Sequence, residues 1–240
     1  MRLKRTITIV LFVVAMAAQA HAQYQFGVPN LLKYDKKPFH FGFTLGYNLF
    51  DYRISSKPDL AEYDSLMVIN THAMSGFSLG IVTNLRLGKY FDLRFIPGLS
   101  FGDRYINYTI RYGDGSELVT AKNVESVYLE MPILFKYKSS RMLNNIRAYV
   151  LAGGQYTFDM ISAKKKKAPE NGEVVLKLNP HDVQAQVGVG FDFYCTYFKF
   201  TTELKMSFGF LNMLVPEDNM YATSVTSLKA KNLQISFIFE

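Results

Sequence analysis

The chain has 240 residues, 49% hydrophobic, with 20 Phe, 16 Tyr and no Trp. Its formal charge of +7 falls to +4 without Arg2, Lys4 and Arg5 of the leader described below, an excess that does not call for nucleic acid. The single Cys195 excludes an internal disulfide.

The chain opens on a secretory address. Arg2, Lys4 and Arg5 form a charged start, residues 7–18 an apolar core, and Ala20-His21-Ala22 a small-x-small cleavage pattern. The core is shorter than the ~20 residues of a membrane helix. The expected organisation is therefore a signal peptide at 1–22, an N-terminal periplasmic segment at 23–37 and one β-barrel at 38–240. No Cys lies near Ala22 to carry a lipid anchor.

From residue 39 the sequence alternates. Phe39, Phe41, Phe43, Leu45, Tyr47 and Leu49 share one face, and His40, Gly42, Thr44, Gly46, Asn48 and Phe50 the other. The same rhythm predicts strands at 39–51, 74–87, 90–103 (extending toward 112), 124–138, 146–158, 182–194, 197–210 and 228–239. In the strand at 182–194, Val183, Ala185, Val187, Val189, Phe191 and Phe193 oppose Gln184, Gln186 and Asp192. At 146–158, Ala148, Val150 and Ala152 compete with Tyr149 and Leu151, so no faces are assigned. Pro97 and Pro132 fall inside strands, and each is expected to mark a bulge.

The connections alternate too. Those around Gly88-Lys89, at 139–145 and at Cys195-Thr196 are short, and the others are long. Tyr112-Gly113-Asp114-Gly115 reads as the tip of an extended hairpin. Short turns on one side and long loops on the other, with an aromatic face free of charge, describe an all-β fold. It is an eight-stranded antiparallel up-and-down transmembrane β-barrel in the outer membrane. An even strand count puts both termini on the periplasmic side. A soluble barrel of the lipocalin type would alternate as well, with its apolar face inward. The polar, glycine-rich opposite face speaks against it.

The polar face carries Arg86, Asp92, Arg94, Glu130, Lys136, Asp192, Glu203 and Lys205. These are expected to pair inside the barrel, because isolated buried charges are strongly disfavoured. An eight-stranded barrel is just wide enough for its own side chains, so a diffusion pore is not expected. Lys164, Lys165, Lys166 and Lys167 form the densest charge run. They read as a solvated loop or as a contact with a partner or anionic lipopolysaccharide.

A search for chemistry finds no nucleophile elbow, phosphate loop or paired-cysteine motif. His40, His72 and His181 are scattered without metal-ligand spacing. A lipid-modifying site at His40 or at His181-Asp182 is the enzymatic alternative, but neighbours in a strand face opposite ways. The expectation is no enzyme, no cofactor, no metal and no small-molecule substrate.

Tyr128-Leu129-Glu130-Met131-Pro132-Ile133-Leu134-Phe135-Lys136-Tyr137-Lys138 resembles a core pattern of outer-membrane β-barrel domains of Bacteroidota, and Tyr149-Val150-Leu151-Ala152-Gly153-Gly154 the strand after it. Phe41-Gly42-Phe43-Thr44-Leu45-Gly46-Tyr47-Asn48, followed by Asp51-Tyr52-Arg53-Ile54, resembles the first strand of the PorT-like branch. That resemblance implies a non-enzymatic outer-membrane component of the type IX secretion system, which exports proteins bearing a C-terminal sorting domain. The partners it implies are outer-membrane lipid, lipopolysaccharide and other secretion components, with scaffolding as the mechanism. A general structural or adhesin barrel is the alternative.

Overall fold

A computed structural model describes residues 28–56, 66–111, 117–167, 178–215 and 225–240. The expected signal peptide and the hairpin tip lie outside these residues. Ten strands are present among them: β1 (Phe39–Ser56), β2 (Leu66–His72), β3 (Met74–Arg86), β4 (Phe91–Phe95), β5 (Gly98–Arg111), β6 (Glu117–Lys138), β7 (Ile146–Asp159), β8 (His181–Tyr194), β9 (Lys199–Gly209) and β10 (Val225–Phe239). Only Ala73 parts β2 from β3, and only Ile96 and Pro97 part β4 from β5. The ten segments therefore make eight antiparallel staves. Each stave pairs with its chain neighbours, and β1 pairs with both β3 and β10, which closes the ring.

Side chains follow the two-residue rhythm around the ring. Phe41, at 67% exposed, and Ile81, at 62%, stand on the outer wall with Phe135, Val189 and Ile235. Thr44, Asn48, Ser100, Gln186, Glu203 and Ser236 point inward and are buried. Aromatic rings pair across neighbouring strands of the wall, with centroids 5.0 Å apart for Phe43 and Phe239 and 4.8 Å for Phe77 and Phe101. On β1 the outer face is uncharged from Phe39 to Leu49, which matches the ~9–11 residues of a membrane-crossing strand. Its charges come only beyond that band, where Asp51 faces Lys231 and Arg53 faces Lys229. The faces of β7 are now assigned. Arg147, Tyr149, Leu151 and Gln155 are buried inside, and Val150 is exposed outside.

Two local expectations need correction. Neither proline makes a bulge. Phe95 faces Thr83 and Gly98 faces Gly80 on one side; Phe95 faces Ile133 and Gly98 faces Glu130 on the other. The register thus passes both prolines without an inserted residue. Each proline sits where its carbonyl accepts: the Ile81 amide donates to Pro97 at 3.0 Å and the Ile96 amide to Pro132 at 3.3 Å. Only the return bond is missing, which proline cannot supply.

The lysine run is also not a loop along its backbone. It ends α1 (Met160–Lys167), the helix that follows β7. The cause is a cap. Asp159 Oδ1 accepts from the amides of Ile161 and Ser162, both at 3.0 Å, and Oδ2 accepts from Ser162 Oγ at 2.8 Å.

The two rims differ. At one, the strands are joined by 87–90, 139–145 and 195–198. This short-turn rim also holds residues 28–38 and Glu240, which exchanges backbone hydrogen bonds with Lys199 at 2.7 and 3.0 Å. The far rim carries the other connections, including α1.

Candidate functional site

The inward face near the short-turn rim is ionic. Lys138 Nζ lies 2.6 Å from Asp92 Oδ1, Lys136 Nζ 2.8 Å from Asp192 Oδ2, and Arg94 Nη1 2.8 Å from Glu203 Oε2. Lys205 Nζ takes the other Glu203 oxygen at 3.1 Å, and Lys199 pairs with Glu240. In the ring, β4 and β9 stand four staves apart out of eight, so the Arg94–Glu203 pair crosses the full diameter. Neutral side chains complete the set. Asn84 donates to Asp92 at 3.1 Å and Thr201 to Asp192 at 2.8 Å. The Tyr149 hydroxyl donates to Glu203 at 2.5 Å, with Lys136 Nζ 3.6 Å from its ring centroid. Tyr149 reaches this position because Gly190 faces it; a Cβ there would collide with the Tyr149 ring.

Beside the ion pairs the lumen changes character. Val82, Ile96, Leu134, Leu151 and Ile238 gather with the Tyr149 ring into a small apolar cluster. Beyond them come amides and hydroxyls. Gln186 Nε2 donates to Gln155 and to Ser207, both at 2.9 Å, and Gln234 Nε2 to Ser78 Oγ at 2.7 Å. Thr44, Ser78, Glu130, Gln155, Gln186, Lys205 and Gln234 help line a cavity of about 20 Å³. That is room for about one water molecule. Phe50, a large apolar side chain on the inward face of its strand, packs against Tyr128 with centroids 5.4 Å apart. Gly76 makes space for it, since a Cβ there would lie 2.6 Å from the Phe50 ring.

The mouth at the short-turn rim is capped by residues 28–38. A 3-10 turn, Tyr34–Lys36, puts Tyr34 on His40 with ring centroids 4.0 Å apart, and His40 Nε2 lies 2.8 Å from the Tyr34 carbonyl. Asp35 is the hub. Its carboxylate accepts from Arg141 at 3.0 Å, from both Arg147 terminal nitrogens at 3.1 Å, and from the Tyr194 hydroxyl at 3.3 Å. Its carbonyl accepts from Arg86. Burial favours the neutral acid, but Arg147 and Arg141 outweigh it and hold the Asp35 carboxyl below its usual range. Asn30 adds bonds to Asn145 at 2.7 Å and to the Tyr194 carbonyl at 3.0 Å.

Of the eight charged residues named from the sequence, Asp92, Arg94, Lys136, Asp192, Glu203 and Lys205 meet in the ion pairs above. Glu130 is buried on the same inner surface, further from the rim. Arg86 departs from the expectation. It stands at the rim and donates to the carbonyls of Gly88 and Asp35 rather than to a carboxylate, because β3 ends there. The side chains of Lys164, Lys165, Lys166 and Lys167 lie outside the described residues. The sequence reading missed Lys138, Lys199 and Glu240 in the network. Lys138 and Lys199 share the inward parity of Lys136 and Glu203, so the rhythm could have found them. Asp35 and Arg141 carried no such signal, because they precede or interrupt the strands.

The histidines do not converge. His40 is buried at the short-turn rim, while His181 begins β8 at the far rim, where its Nδ1 lies 2.6 Å from the Tyr156 hydroxyl. His181 is exposed and Asp182 buried, so they face opposite sides. Among the described residues no group of three or more His, Cys, Asp or Glu could hold a metal ion. No helix among them is long and apolar enough to cross a membrane.

A closed ring of strands with an apolar wall and a polar inside defines an outer-membrane β-barrel. The family model described as "Outer membrane protein beta-barrel domain" matches residues 18–215, and the chain belongs to that family. Among solved structures, the outer membrane protein OprG of Pseudomonas aeruginosa is 13% identical, with a TM-score of 0.36 over 82% of this chain and 93% of that one. The N-terminal β-barrel domain of OprF from the same organism is 15% identical, with a TM-score of 0.30 over 81% and 96%. None of the curated proteins matches the chain.

Proposed function

We propose that this barrel is a non-enzymatic, non-conducting outer-membrane component that supports protein export by a type IX secretion system, as its PorT-like first strand implies. The observation that carries the non-conducting part is the Arg94–Glu203 pair across the lumen diameter, flanked by Lys136–Asp192 and Lys138–Asp92. A barrel stopped by its own ion pairs acts through its surfaces. The wall fixes it in lipid, and the rims meet other components of the machine. The short turns of one rim favour a periplasmic position for that rim, with the other connections outside.

Deleting the gene and measuring secreted cargo tests the reading. Cargo should accumulate inside the cells and return with the restored gene; normal export would refute the secretion role. The general family match favours one alternative, a structural or adhesin barrel unconnected to export. That reading gains if deletion weakens the envelope or attachment and leaves cargo untouched. No lipid-modifying activity is proposed, because His40 and His181 sit at opposite rims.

A further inference from the structure

The short-turn face is cationic, and its carboxylates are already taken. Lys33, Lys36, Lys37 and Lys89 are exposed there. Asp35 is held by Arg141 and Arg147, Asp92 by Lys138, and Glu240 by Lys199. Large apolar side chains stand among the lysines: Tyr197 at 91% exposed, Leu32 at 66% and Leu143 at 40%. Exposed apolar and aromatic side chains beside charged ones suit a protein contact. The surface is also preorganised. The Asp35 hub and the Asn30 bonds fix residues 28–38 against the barrel, so a partner would meet little ordering cost.

Placement selects the kind of partner. Tyr34 enters the lumen, stacked on His40, with Lys199 Nζ 4.9 Å from its ring centroid. The turn that carries it therefore sits in the mouth rather than on the lipid-facing flank, with Lys33, Lys36 and Lys37 exposed on and beside it. We propose that this face docks a protein with an acidic surface. The inference rests on the periplasmic position given above to the short-turn rim, and it does not require the secretion role.

The test places a photo-crosslinking amino acid at Leu32 or at Tyr197 in the full chain in cells, with mass spectrometry of the product. The expected result is one protein with an acidic surface captured from both positions. Its yield should fall roughly tenfold or more in K33E/K36E/K37E, because like charges then meet across the contact. Heat-modifiable migration of the triple variant should match the parent, which separates lost docking from lost folding. An unfolded triple variant is replaced by the single K33E and K37E variants, each expected to lower the yield. The proposal is overturned by no protein product, by a product indifferent to charge reversal, or by phospholipid adducts alone. Capture of the acidic partner in cells whose cargo export does not need this barrel would uphold the surface and refute the secretion role separately.

Discussion

The lumen solves one problem in two ways. Near the short-turn rim it is filled by ion pairs, as in Arg94–Glu203 across the diameter and Lys136–Asp192 across one intervening stave. Toward the far rim it is filled mainly by amides and hydroxyls, as in Gln186 with Gln155 and Ser207. Both fill the polar part of the inner face, but they carry different risks. A buried ion deprived of its partner is far more costly than an amide deprived of one hydrogen bond. The ion pairs should therefore behave as an all-or-none plug, and the amides and hydroxyls as a surface that tolerates change.

The largest effect should come from breaking a buried pair. Lys136→Met leaves Asp192 charged without its lysine, and should destabilise the barrel by ~3–5 kcal/mol in urea unfolding. Adding Asp192→Asn to the same chain should recover much of that loss. A double variant no more stable than the single would break the comparison.

A charge moved to the wall comes next. Val187→Arg, on the lipid side of β8, should cost ~2–4 kcal/mol if the site lies near the bilayer midplane. Among the amides, Gln186→Leu removes the hydrogen bonds to Gln155 and Ser207 and should cost ~1–3 kcal/mol, measured the same way. A loss as large as that of Lys136→Met would erase the distinction between the ion pairs and the amides.

The smallest effect concerns the capped mouth. The Asp35 carboxyl is held below its usual range, so its contribution is complete above the unfolded pKa of about 3.9. It is lost as pH falls through the lower folded value. Half-exposed pairs of this kind contribute ~1 kcal/mol or less. Residues 28–38 should resist an acid-active protease at neutral pH and yield to it only in strong acid. Asp35→Asn should remove most of that pH dependence. Equal cleavage of parent and variant at every pH would show that the arginines do not hold the cap.

Much of this was legible in the sequence because a barrel wall obeys a period of two. Phe41, Phe43 and Leu45 announce the wall, and Arg94, Lys136 and Glu203 announce the inside by parity alone. Parity failed in β7, where Ala148 and Ala152 made the outer face look no more apolar than Tyr149 and Leu151. It could not say which cation meets which carboxylate, since Arg94 and Glu203 come together only through closure of the ring. The prolines misled because a side-chain pattern does not reveal whether a residue must donate or only accept. Asp35 stayed invisible because its partners, Arg141 and Arg147, reach it from a turn and a strand end far along the chain.

Site-directed spin labels on the wall test the central claim most directly. Nitroxides at Leu45, Phe135 and Ile235 in reconstituted bilayers should be relaxed by oxygen and shielded from a water-soluble nickel chelate, with a label at Tyr197 as the aqueous control. Relaxation of the three wall labels by the chelate to the same degree as Tyr197 would contradict a lipid-facing wall.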